Sequence, residues 1–303
     1  MKNKTVIVTG GAGFIGTNLV EKLVNDNEVI VIDNLHTGSN QNLKEFESEN
    51  LKVINDDAKS IARLDVDADT VFHLGFYSAS PMYRDNPMLV SEVVAGMTAV
   101  LEYAKEHGSG VVFSSTSSIY NGVKPPHRED IIPDVTDLYT EGRIASERLG
   151  LLYQKLHGVN VSAMRFFSVY GYHELSKGGY ANLATQFLWA MKKNQAPVIY
   201  GDGEQRRDFI FAGDVADALI KAADIKGFEI FNVGYGKNYS LNELVEKLNK
   251  MLGKNIKPEY IPMPVKNYVM ETLADTTKMK GKLGFTPKIA LDQGLELINR
   301  YYK

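Results

Sequence analysis

Three glycines set the strongest constraint on this chain. In Thr9-Gly10-Gly11-Ala12-Gly13-Phe14-Ile15-Gly16 they stand at 10, 13 and 16, between an apolar β-branched run at 5–8 and a helical pattern at 14–25. Glycine there permits a tight turn and lets the backbone approach a diphosphate, which then rests on the positive N-terminus of the helix. The next strand pattern, 28–32, ends at Asp33. An acid at that place bonds the adenosine ribose hydroxyls and repels a 2′-phosphate. Strand, loop, helix and acid in this order predict a dinucleotide site that takes NAD rather than NADP.

The rest of the chain supplies a matching frame. Further apolar runs at 51–54, 70–74, 110–113 and 159–165 alternate with helical stretches at 87–107 and 137–157. Runs too apolar for a one-sided sheet predict a parallel sheet covered on both faces, a doubly wound α/β fold. Helix 87–107 is apolar on more than one stripe and needs covering on two sides. After Arg165 the rhythm loosens: 168–180 and 197–211 read as polar or glycine-rich segments, 262–267 as a loop, and 275–283 and 291–302 as helices. The expected organisation is a Rossmann domain over 1–166, with 208–233 returning to it, and a smaller C-terminal α/β substrate lobe over 167–303.

Composition removes several classes. With 34 Lys+Arg against 37 Asp+Glu the chain carries net charge −3 and no basic block, which argues against nucleic acid and anionic membranes as partners. No apolar run approaches membrane-spanning length. Zero cysteines exclude disulfides and a thiol nucleophile, and the six histidines never fall at a metal-ligand spacing, so no metal site is expected. The first residues lack a signal-peptide pattern, and the expected location is cytoplasmic.

TGGAGFIG followed by VIDNL, then VFHLG at 71–75, FSSTSSIY at 113–120, Tyr139, MRFFSVYG at 164–171, GDGEQRRDFIFAGDVADA at 201–218 and TLADTTKMKGKLGFTPK at 272–288 carry a resemblance over nearly the whole chain. In these motifs it resembles the extended short-chain dehydrogenase/reductases, the nucleotide-sugar epimerases and dehydratases. The resemblance implies that NAD is held by Gly10, Gly13, Phe14, Ile15 and Gly16, by Asp33 and Asn34, and by Asp57 and Ala58, with Asp56 the neighbour to be confused with Asp57. It extends the cofactor site to Leu74, Gly75, Ser114, Phe166, Tyr139 and Arg143. It also implies a catalytic set of Thr116, Tyr139 and Arg143, a substrate site at Thr116, Ser168, Arg207 and Thr272, and a homodimer formed through helices 87–107 and 137–157.

Chemistry agrees with that set. A phenol titrates near 10 and needs a neighbouring cation to take a hydroxyl proton near neutrality. Tyr139 and Arg143 are four apart on one predicted helix, hence on one face. Ser115 is a lesser candidate beside Thr116. A guanidinium such as that of Arg207 fits phosphate oxygens bidentately.

The departures from the family pattern are as specific as the matches. Arg143 stands where the family has lysine. Ser117 and Ser118 follow Thr116 where dehydratases and decarboxylating relatives carry acids, and β-elimination then has no evident catalyst. Arg206 replaces the usual threonine, and Ser168 the usual asparagine. Val265-Lys266-Asn267-Tyr268 replaces an Arg-Pro-Gly-Asp loop, with Lys266 as a candidate replacement charge. Phe76 and Tyr77 replace small residues. The expected activity is epimerisation at C4 of a UDP-hexose, of the UDP-glucose/UDP-galactose type, with NAD as cofactor. Two alternatives stay open: a different nucleotide-sugar epimerase or reductase, and a NAD-binding relative that has lost catalysis.

Overall fold

The computed structural model describes residues 1–132, 134–135, 137–263 and 267–303. The first half of the chain alternates strands and helices: β1 (Thr5–Thr9), α1 (Phe14–Leu23), β2 (Glu28–Ile32), β3 (Leu51–Ile54), β4 (Thr70–His73), α2 (Ser80–Asp85), α3 (Leu89–His107), β5 (Gly110–Thr116), α4 (Leu138–His157) and β6 (Val161–Phe166). These strands form a parallel sheet in the order β3-β2-β1-β4-β5-β6. A seventh strand, β10 (Phe228–Val233), joins beside β6, in register from Phe228↔Val161 to Val233↔Phe166. The architecture is Rossmann-like.

Alternation along the strands divides the core between the two faces, because successive side chains point to opposite sides. Val6 and Val8 pack with Leu19, Val20 and Leu23 of α1 and with Val215 and Leu219 of α6 (Ala212–Ala222). Ile7, Ile30 and Val71 pack on the other face with Val93, Met97, Val100 and Leu101 of α3. The sheet covers one side of α3, and α4 lies along another.

The second lobe is built from β7 (Ser168–Tyr170), α5 (Leu183–Lys192), β8 (Val198–Tyr200), β9 (Arg206–Phe211), β11 (Asn238–Ser240), α7 (Leu241–Leu252), β12 (Glu259–Ile261) and α9 (Leu291–Tyr301). Strands β11, β9 and β7 form one small sheet, and β12 and β8 another. Segments expected to be irregular, 168–180 and 197–211, therefore contain three strands. Each pairs with a partner distant in sequence, as in Ser168↔Phe209 and Val198↔Glu259, which local patterning does not display. Since β9 belongs to this small sheet, the return to the large one starts at α6 rather than at 208. Helix α8 (Thr277–Gly281) is shorter than the 275–283 pattern. Among the described residues no helix is long and apolar enough to cross a membrane.

Candidate active site

A cleft of about 1420 Å³ runs along the C-terminal ends of the sheet strands, between the lobes. Ligand pockets commonly measure about 300–1,000 Å³, so this one has room for two ligands end to end. Every site residue expected from the sequence lines it.

At one end the wall is backbone. Gly10 has φ +71°, and a Cβ there would lie 2.6 Å from the Gly75 nitrogen. A Cβ on Gly16 would collide with the Gly10 carbonyl oxygen. Gly13 caps α1 without a side chain, so the first helical amides keep no internal partner. Asp33 is buried at the end of β2, accepting from the Ala12 amide at 3.0 Å and the Leu35 amide at 2.8 Å. Burial pushes its pKa up, against the opposing pull of the Leu35, Ala12 and Gly13 amides. It thus braces the glycine loop while lining the cleft beside Asn34. Further along, Asp57 accepts from the Lys59 amide at 2.9 Å and lines the cleft with Ala58, whereas Asp56 is drawn off by Arg63. Leu74, Gly75, Ser114 and Phe166 complete this part.

In the middle, Thr116 ends β5, buried, its hydroxyl accepting from the Ser118 amide at 3.1 Å. Tyr139 and Arg143 lie one turn apart on α4, whose start is fixed by Asp137 accepting from the Thr140 amide at 2.7 Å. The Arg143 guanidinium is buried over two rings, 4.1 Å from the centre of Phe76 and 5.1 Å from that of Tyr139. Its Nη2 donates to the Tyr77 carbonyl at 3.0 Å, and its Nε and Nη1 have no hydrogen-bond partner. His73, at the end of β4, shares a 2.6 Å hydrogen bond with the Thr9 hydroxyl; burial, reinforced by Arg143, pushes its pKa down to about 3. It is therefore a neutral imidazole beside a fixed cation. Behind Ser115, Glu147 accepts from the Ser115 hydroxyl at 2.6 Å and pairs with buried Arg165 at 2.7 Å.

At the far end Arg207 leans over the Tyr268 ring at 5.2 Å, with Nη1 donating to the Arg206 carbonyl at 2.9 Å. Arg206 turns away to pair with Glu243 at 2.8 Å, tying β9 to α7. Thr272 is buried, and its hydroxyl accepts from the Asp208 amide at 3.3 Å. Asp208 accepts from the amides of Tyr235, Gly236 and Ala274, and burial pushes its pKa up to about 6. Ser168 lines the cleft at the start of β7. Val265 and Lys266 lie outside the described residues; Asn267 and Tyr268 reach the cleft. Among the cleft residues without a signal in the sequence is Lys177, whose ammonium lies 5.3 Å over the Phe14 ring.

The donor set fits a nicotinamide dinucleotide. The open first-turn amides of α1 and the Asp33 carboxylate, both on the wall of the cleft, supply anion and ribose contacts, and the Arg143 side chain borders the cleft further along.

Comparisons with known proteins agree. Residues 6–234 match the model of the NAD dependent epimerase/dehydratase family. Over 307 residues the chain is 33% identical to the UDP-glucuronate 4-epimerase of Thermodesulfobacterium geofontis, spanning 96% of this chain and 93% of that protein. The UDP-N-acetylglucosamine 4-epimerase of Methanobrevibacter ruminantium, solved with UDP-N-acetylmuramic acid, superposes with TM-score 0.94 at 30% identity, over 100% of this chain and 99% of that one. The UDP-glucose 4-epimerase of Thermotoga maritima, solved with UDP-glucose, gives 0.92 at 30% identity and 98% of both chains.

Proposed function

Because the chain belongs to the NAD dependent epimerase/dehydratase family, we propose that it epimerises C4 of a UDP-hexose, of the UDP-glucose/UDP-galactose type, through a 4-keto intermediate. The observation that carries this reading is a phenol and a fixed cation lining one cleft with Thr116, without an uncommitted carboxylate. Among the described residues the cleft holds four carboxylates. Asp33 serves the Ala12 and Leu35 amides, Asp57 the Lys59 amide, Glu92 pairs with the Lys59 ammonium, and Asp137 caps α4 while accepting from Ser80 at 3.0 Å. Glu147 is clamped by Arg165. Loss of water from the sugar ring needs an acid or base at the neighbouring carbon, and none is presented.

In this reading Tyr139 takes the C4 hydroxyl proton and later returns it, Thr116 hydrogen-bonds the same oxygen, and Arg143 keeps a positive charge beside the phenol. Arg207 grips the substrate diphosphate, about which the keto sugar turns to present its other face. Ser168 and Thr272 border the sugar. NAD, held along the glycine loop and Asp33, supplies reversible hydride acceptance when bound. Exposed Met88, Leu152 and Leu156 around the α3–α4 pair support a homodimer, and the absence of cysteine suits a cytoplasmic setting.

The test is incubation of the purified protein with UDP-galactose, UDP-N-acetylglucosamine and UDP-glucuronate in parallel, following each C4 epimer. Interconversion of UDP-galactose and UDP-glucose is expected. A 4-keto-6-deoxy product, or carbon dioxide release from the glucuronate, would overturn the reading.

A further inference from the structure

We propose that Phe76 is a positioning residue for Arg143: its ring face, with the Tyr77 carbonyl, holds the guanidinium against Tyr139. Residues 76, 77 and 143 then act as one unit, which explains why departures from the family pattern occur together on β4's outgoing loop and on α4. The inference rests on the roles given above to Tyr139 and Arg143.

A compact ammonium needs only an acceptor, whereas a planar guanidinium needs its plane fixed, and aromatic faces do this well. Phe76 lies 4.1 Å beneath the Arg143 guanidinium, and Nη2 donates 3.0 Å to the Tyr77 carbonyl. That carbonyl also accepts from the Tyr83 hydroxyl at 3.0 Å, while the Tyr83 ring stands edge-on to Tyr139 at 5.5 Å. Phe76 is itself buried, 4.1 Å from His73, which Thr9 anchors. The ionisable groups facing the cation are neutral His73 and the phenols of Tyr83 and Tyr139, with Tyr77 and Asp137 beyond them on the far side of Tyr83. Among the described residues no carboxylate pairs with Arg143, so two rings and one carbonyl do the holding. Nε and Nη1 are buried and unpartnered, so no further hydrogen bond fixes the guanidinium plane, while the side chain still borders the cleft.

A double-mutant cycle tests this. Phe76→Leu and Phe76→Tyr are made in the wild type and in Arg143→Lys. NAD affinity is measured by calorimetry, the pH–rate profile with the sugar turned over, and melting temperature as control. In the wild type, losing the ring face should weaken NAD by about tenfold and move the rising limb of the profile to higher pH, and Phe76→Tyr should restore both. In the Arg143→Lys background Phe76→Leu should change neither by more than about twofold. Equal effects in both backgrounds, or a change in melting temperature alone, would overturn the proposal. Should no sugar be turned over, the proposed reaction falls, and the NAD arm of the cycle still decides the positioning role.

Discussion

The two ends of the cleft are made by opposite means. At the glycine loop the working surface is what side chains leave bare: a Cβ on Gly10 would strike the Gly75 backbone and one on Gly16 the Gly10 carbonyl, so the loop closes only without them, and Gly13 leaves helix amides open. At the end of β4 the surface is made of side chains meeting one another, with His73, Phe76 and Tyr83 converging on Tyr139 and Arg143. A site of the first kind is written in one short stretch of sequence and tolerates no added atom. A site of the second kind spreads over seventy residues and tolerates exchange, provided its members change together.

Each prediction presses on that contrast. Tyr139→Phe should lower turnover by about 10³-fold or more while NAD stays bound, since only the proton-transfer group is removed; stopped-flow turnover and calorimetry together read this, and lost NAD binding would mean that the hydroxyl holds the cofactor as well as moving the proton. His73 tests the packed end through stability. Its imidazole is held neutral to about 3, while in the unfolded chain it takes up a proton below its ordinary value of 6.5. Acidification from 6.5 toward 3 therefore favours unfolding, by on the order of 5 kcal/mol over the whole window. Urea titrations at pH 7 and pH 4 should show most of this loss in the wild type and a flatter response in His73→Asn.

Gly16→Ala tests the bare end: the new Cβ meets the Gly10 carbonyl oxygen, so an overpacking cost of about 1–3 kcal/mol and a sharp fall in NAD affinity are expected. Normal binding by this variant would erase the contrast. The smallest effect belongs to Asp33→Ala, which should narrow the preference for NAD over NADP by about tenfold, seen by titrating both cofactors.

Legibility in the sequence followed the same division. The glycine loop, Asp33 and the alternation through β6 were readable because the determinants are local: β-branched runs, a turn, a capped helix. Thr116, Tyr139 and Arg207 came by resemblance, and the structure gathers them into one cleft. Phe76 and Tyr77 were visible only as departures, because what they touch lies on α4. Lys177 sits on a 3₁₀ segment whose approach to Phe14 depends on the packing of the two lobes, so no local pattern announced it. Strands β7, β8 and β9 are three to six residues long and find partners across the second lobe, beyond the reach of periodicity.

The path of the chain has a mechanical consequence. It passes between the lobes after β6, before α6, after β10, before α8 and before α9. The passage before α9 is pinned where Asp214 of α6 accepts from the amides of Lys288 and Ile289. A pair of bodies joined by one strand of chain can swing like a door; a pair laced together this many times resists both hinge and twist. Ligand entry then cannot depend on the two lobes parting, and a cut anywhere between the passages severs neither half cleanly, so the protein should behave as one cooperative unit.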